Sequence, residues 1–205
     1  MSDKFSVDPD IRKANTQPST FYKDPIIFEK IKEKVFLKSW QFIGDEHLVK
    51  LPKSAHPFVL LDRYLTEPLL LTRDEDGEIH CMSNVCTHRA NLVVQGSGKL
   101  KKLTCMYHGR RFDLKGNFEH MPEFKEAEDF PRDCDHLHQF SLAQWGPLLF
   151  TGLDPSFDFN EVIKIMEERV GFLPLNEFRY DASMSKDYLV QAHWALYCDN
   201  YLEGF

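Results

Sequence analysis

Two short stretches limit what this chain can become: Cys86-Thr87-His88 and Cys105-Met106-Tyr107-His108, with sixteen residues between them. Each offers one thiolate and one imidazole. A fold that uses both must bring two loops to a common end, where two sulfurs and two nitrogens surround one point. Those four donors suit two kinds of metal group. A [2Fe–2S] cluster with two cysteines on one iron and two histidines on the other needs this set, and a tetrahedral zinc site uses the same ligand types. Spacing separates them. Finger-type zinc sites pair their cysteines and then their histidines, whereas each loop here mixes one of each. Gly109, directly after the second histidine, suits a backbone that passes close to an inorganic sulfide, because it carries no Cβ.

The runs Asn84-Val85-Cys86-Thr87-His88-Arg89 and Cys105-Met106-Tyr107-His108-Gly109 resemble the Rieske domain of ring-hydroxylating-type non-haem iron oxygenases, on the α-subunit side. The resemblance implies that Cys86, His88, Cys105 and His108 are the cluster ligands. Imidazole is neutral where thiolate is anionic, so such a cluster sits at a higher potential than an all-cysteine one. Rieske proteins of respiratory complexes carry two further cysteines that bridge the loops. Asn91 and Tyr107 stand at the corresponding positions here, which implies the lower-potential oxygenase or ferredoxin type. Two readings of Tyr107 stand side by side: its hydroxyl reaches a cysteine sulfur, or its ring packs under the loop. Arg110 stands where many oxygenases have Trp. With Arg89 and Arg111 it is read either as a contact to loop backbone or an acidic partner, or as solvated charge.

A formal charge of −7 leaves no basic stripe to neutralise phosphates, which argues against a nucleic-acid partner. Five cysteines, two of them in the loops, leave Cys81, Cys134 and Cys198, an odd set without framework spacing; a reducing cytoplasm is expected. The opening Met1-Ser2-Asp3-Lys4 is polar and no apolar run reaches membrane-spanning length, so no membrane span is expected. Of the remaining histidines (His47, His56, His80, His120, His136, His138), only His136-x-His138 has site-like spacing, and no cysteine or carboxylate supports it.

Taken in order, residues 1–23 read as an extended polar arm. Asp24-Pro25 then opens a helix through Lys38, with Asp24 as N-cap and Pro25 at the first helical position. From Trp40 the period shortens to that of strands, expected at Gln41–Ile43, Phe58–Leu61, Pro68–Arg73, Glu78–Ser83 and Leu148–Gly152. Asp74-Glu75-Asp76-Gly77 marks one hairpin turn and Lys115-Gly116 another. The acidic stretch from Met121 to Asp135 reads as a surface loop. The expected fold is mainly β: a small antiparallel Rieske-type β-sandwich with an N-terminal helix and the start of an α+β catalytic domain. Boundaries are placed at 1–39 for arm and helix, 40–153 for the Rieske domain and 154–205 for the rest. In that last part a helix is expected at Asp158–Val170, strands at Phe178–Ser185 and Tyr188–Val190, and a helical stretch from Ala192.

Asp199-Asn200-Tyr201-Leu202-Glu203-Gly204-Phe205 resembles the start of the mononuclear-iron motif of the same α subunits. The resemblance implies that Glu203 is a bridging carboxylate, linking a cluster histidine of a neighbouring subunit to an iron-ligating histidine, and that Asn200 lies near that iron. Glu rather than Asp in this setting is closer to the branch acting on choline, betaine or carnitine. The resemblance covers roughly residues 20–205 and ends where the first iron histidine would be the next residue. It implies a chain truncated before the mononuclear Fe(II) ligands. The parent would be an oxygenase, a homotrimer fed by a flavin-dependent reductase or ferredoxin and acting on a small organic substrate. This 205-residue form is not expected to turn over as an oxygenase. A stand-alone electron carrier is the alternative.

Overall fold

The computed structural model describes residues 5–202. The chain divides into two compact units, Phe36–Tyr180 and the pair of stretches Met1–Val35 with Asp181–Phe205.

The second of these holds α1 (Ser19–Lys23) and α2 (Pro25–Ile31), and a π-helical turn, Lys32–Phe36, comes next in the chain. The Asp24 side chain caps α2, accepting from the Ile26 N–H at 2.9 Å, and Pro25 takes the first turn, where its missing N–H costs nothing. The expected single helix to Lys38 is thus shorter and changes winding, and the expected extended arm contains a helical turn.

The larger unit is built from ten strands in three antiparallel sheets. Their ranges are β1 (Gln41–Asp45), β2 (Ser54–Leu60), β3 (Glu67–Arg73), β4 (Ile79–Ser83) and β5 (Gly98–Lys99), then β6 (Leu103–Thr104), β7 (Arg111–Phe112), β8 (Phe118–His120), β9 (Ser141–Trp145) and β10 (Leu148–Gly152). The middle sheet has the order β4-β3-β2-β5, and the others run β1-β10-β9 and β6-β7-β8. β3 is buried on both faces, which explains its unbroken Leu69-Leu70-Leu71 run. Side chains alternate across a strand: Leu69 and Leu71 join Cys81, Val49, Leu60 and Leu149 in one core, while Leu70 joins Met82, Leu103 and Phe112 in the other. Cys86 and Cys105 belong to that second core.

Both expected hairpins form. Leu71, Thr72 and Arg73 pair with Cys81, His80 and Ile79 across the first turn. Gly116 in the second has φ +82°, a backbone that L side chains rarely adopt, and a Cβ there would also crowd Met82 Sδ at 3.1 Å and Leu137 Cβ at 3.3 Å. After β10 comes α3 (Phe159–Val170), capped by Asp158, whose side chain accepts from the Asn160 N–H at 2.9 Å. Its first residue, Phe159, packs on Trp40 and Phe150 with ring centroids 5.2 and 4.7 Å apart.

The strands expected at Phe178–Ser185 and Tyr188–Val190 do not form. A strand needs a ladder partner, and this stretch has none among the described residues; a 3₁₀ turn occupies Ala182–Met184 instead. The chain ends its described part in α4 (Trp194–Leu202). His193 Nδ1 accepts from the Ala195 N–H at the start of that helix.

Candidate functional site

The two ligand loops share one scaffold. In each, the cysteine carbonyl accepts from the backbone N–H four residues on: Ala90 to Cys86 at 3.0 Å and Gly109 to Cys105 at 2.9 Å. In each, the cysteine N–H donates to the carbonyl five residues on, Asn91 and Arg110. The residue closing each turn has a positive φ, +51° at Ala90 and +74° at Gly109. A Cβ on Gly109 would meet only Pro122, at 3.4 Å. Gly109 has a left-handed backbone, which L-residues adopt at a cost. β6 and β7 flank the second loop, so the small sheet holds it against the middle one.

This scaffold gathers the four donors. Cys86 and Cys105 lie together in one core, each affecting the other's proton affinity, and the His88 and His108 rings lie 4.8 Å apart, centroid to centroid. Burial pushes the Cys86 thiol up. Burial acts on Cys105 in the same sense, but the Tyr107 backbone N–H, the Cys86 thiol and the Asn91 amide hold it below the ordinary thiol value. Burial, then the charges of His108, Arg89 and Arg110, keep His88 below the ordinary imidazole value, in the neutral form that ligates. Two buried thiols beside two imidazoles, with His108 exposed and His88 half-buried, match the donor set of a Rieske cluster.

Tyr107 takes neither role read for it: it is 59% exposed and its ring lies against His108 at 3.8 Å. The side chain that does reach a sulfur is Asn91, whose Nδ2 donates to Cys105 Sγ at 3.7 Å. Arg89 and Arg111 are exposed, as solvated charges are, but Arg110 is 3% exposed. Its guanidinium pairs with Asp135 at 2.7 Å and lies over the Phe118 ring at 4.9 Å. The acidic stretch thus ends not at the surface but in a buried carboxylate. Spacing gave no sign of this, because the partners are 25 residues apart.

His136 is structural: its Nδ1 accepts from the Phe118 N–H, while His138 packs its ring on Phe140. Asp74, Glu78 and His80 form a carboxylate–imidazole group at the first hairpin. Lys115 already supplies its cation, 3.2 Å from Asp74. Asn200 lies exposed on α4, and Glu203 falls outside the described residues. Among the described residues no helix is long and apolar enough to cross a membrane.

Two sulfurs and two imidazoles presented by paired loops at the end of an antiparallel β structure define a Rieske-type protein, and residues 39–140 match the family described as Rieske [2Fe-2S] domain. The chain is 30% identical to the chloroplastic choline monooxygenase of Beta vulgaris over 208 residues, covering 96% of this chain and 45% of that one. It is 32% identical to the carnitine monooxygenase oxygenase subunit of Escherichia coli (strain K12), over 76% of this chain and 40% of the relative. The fold is that of the apo quaternary ammonium Rieske monooxygenase CntA, with a TM-score of 0.67 at 22% identity over 80% of this chain and 48% of that one. The chain belongs to the Rieske oxygenase α-subunit family. It spans about half the length of the curated relatives it matches.

Proposed function

We propose that this chain is the Rieske electron-transfer part of a non-haem iron oxygenase α subunit, with Cys86, His88, Cys105 and His108 as the cluster ligands. The observation that carries the reading is the convergence of two thiols and two imidazoles on loops of one shared design. A [2Fe–2S] cluster held this way supplies one-electron transfer at a potential above that of all-cysteine clusters. The chain's own residues set the terms. Cys86 and Cys105 anchor the buried side from the core, Asn91 donates to a sulfur, and exposed His108 gives the edge through which a partner exchanges electrons. Residues 40–153 form the electron-transfer domain, 1–39 the arm and helix before it, and 154–205 the beginning of a catalytic domain.

In the whole protein the electrons come from a flavin-dependent reductase or ferredoxin and go to a mononuclear Fe(II) site, for O₂-dependent hydroxylation or demethylation of a small organic substrate. Similarity to enzymes named for choline and carnitine favours a quaternary ammonium substrate. Asn200 and Glu203 serve the path to that iron, Glu203 as bridging carboxylate between the subunits of a homotrimer. The uncommitted thiols suit a reducing cytoplasm. The test is ligand replacement: His108→Cys adds an anionic ligand and lowers the reduction potential if the cluster still assembles. An unchanged potential in a loaded variant would remove His108 from the ligand set.

A further inference from the structure

Asp135 joins both ligand loops. Its backbone carbonyl accepts from Thr87 Oγ1 at 2.9 Å, and Thr87 lies between Cys86 and His88. The same carbonyl accepts from Arg110 Nη2 at 3.1 Å, two residues beyond His108. Its carboxylate takes Arg110 Nη2 on Oδ1 at 2.7 Å and the Arg132 backbone N–H on Oδ2 at 2.9 Å. The guanidinium is enclosed by Phe118, Phe130 and Phe112 at 4.9, 5.5 and 5.8 Å. Burial works against charge on Asp135, yet the Arg132 N–H and Arg110 keep its carboxyl below the ordinary carboxylate range.

This is a costly way to fill a core. Burying two charges is repaid only by excellent geometry, and well-packed apolar residues of similar volume often do as well or better. Here the geometry is incomplete, since Arg110 Nε is buried without a hydrogen-bond partner. A pair kept at that cost, with one donor from each ligand loop on a single carbonyl, has a positional task.

We propose that Arg110 and Asp135 form a charge-balanced clamp that fixes the two ligand loops relative to each other. This rests on the reading that the four donors hold a cluster. The Arg110 side chain bonds to Asp135, and Arg110 meets Cys105 only through its backbone carbonyl, so the two are positioning residues, and the clamp acts by holding geometry and by cancelling its own charge beside the ligands.

The experiment is a double-variant cycle on the full, iron-loaded chain, read by reduction potential and by the g-values of the reduced state. Asp135→Asn keeps the carbonyl but leaves a bare cation, and the potential rises. Arg110→Gln leaves the carboxylate with only the more exposed Arg132, whose Nε lies 3.5 Å from Oδ2, and the potential falls. The double variant returns towards the wild-type potential while losing iron several-fold faster, and Arg110→Lys, which keeps the charge, stays closer to wild type than Arg110→Gln. Unchanged potentials and g-values in both single variants, or shifts of one sign in both, would overturn the clamp. Should those variants fail to load, Thr87→Val introduces no charge: faster iron release at unchanged potential supports the clamp, and wild-type release refutes it. A wild-type chain without a Rieske spectrum would overturn the cluster reading and the clamp together, whereas a loaded wild type with inert variants would sink the clamp alone.

Discussion

The two faces of β3 pack against cores of different character. Leu69 and Leu71 enter an aliphatic core with one thiol, Cys81, which is 2% exposed. Leu70 enters the other, which has Cys86 and Cys105 at its edge and the imidazoles beyond it. All three cysteines are buried, yet they behave differently. Burial, opposed only by the Thr151 hydroxyl, drives the Cys81 thiol up to about 11, so it stays protonated. Cys105 receives backbone N–H groups and the Asn91 amide, which favour its thiolate. Thiolates ligate and attack, thiols do not. Burial raises Cys81 and Cys86 alike, in Cys86 against the His88 backbone N–H, and only Cys105, with the Tyr107 and His108 N–H groups and the Asn91 amide, is lowered.

The largest effect expected from this comparison is all-or-none. Cys105→Ala abolishes iron binding, while Cys81→Ala keeps full iron content and costs about 1 kcal/mol of stability. Metal analysis and thermal melts of the two variants check it. If Cys81→Ala lost its iron, the division between the faces would be wrong.

Next come the leucines. Leu71→Ala and Leu70→Ala each destabilise by about 3 kcal/mol, as large-to-small changes in a packed core do. Only Leu70→Ala should also hasten iron release, since it loosens the core that carries the cysteines. Denaturant melts give the first quantity and a chelator time course the second.

Acid probes the hairpin end of the same sheet. Burial alone would raise the Asp74 carboxyl, but His80, Lys115 and the Glu78 backbone N–H outweigh it and pull it down to about 2. A carboxyl depressed in the folded state stabilises fully above its unfolded value and loses that contribution as pH falls through the folded one. About 2 kcal/mol should therefore disappear between about pH 4 and pH 2. Asp74→Asn should flatten that part of the stability profile, and an unaltered profile would assign the acid sensitivity elsewhere.

What could be read from the sequence follows from how local each signal is. The four donors lie within two loops, so their chemistry was visible as spacing, and Gly77 and Gly116 announced their turns. β9 was not legible: Ser141-Leu142-Ala143-Gln144-Trp145 contains no β-branched residue and is a strand because β10 pairs with it along its length. Phe178–Ser185 failed in the opposite way, having strand-like composition without a ladder partner. Arg110 and Asp135 were hidden deepest, since a buried ion pair depends on the loops being folded, and each residue looks like surface charge in isolation.

The most direct test of the cluster reading is to measure iron, acid-labile sulfide and zinc in the purified chain, with the EPR spectrum of the reduced protein. The account predicts two irons and two sulfides per chain, as a [2Fe–2S] domain requires, and a reduced signal typical of mixed cysteine–histidine ligation. One zinc per chain, no sulfide and no signal would contradict it, and would make the same four side chains a structural zinc site.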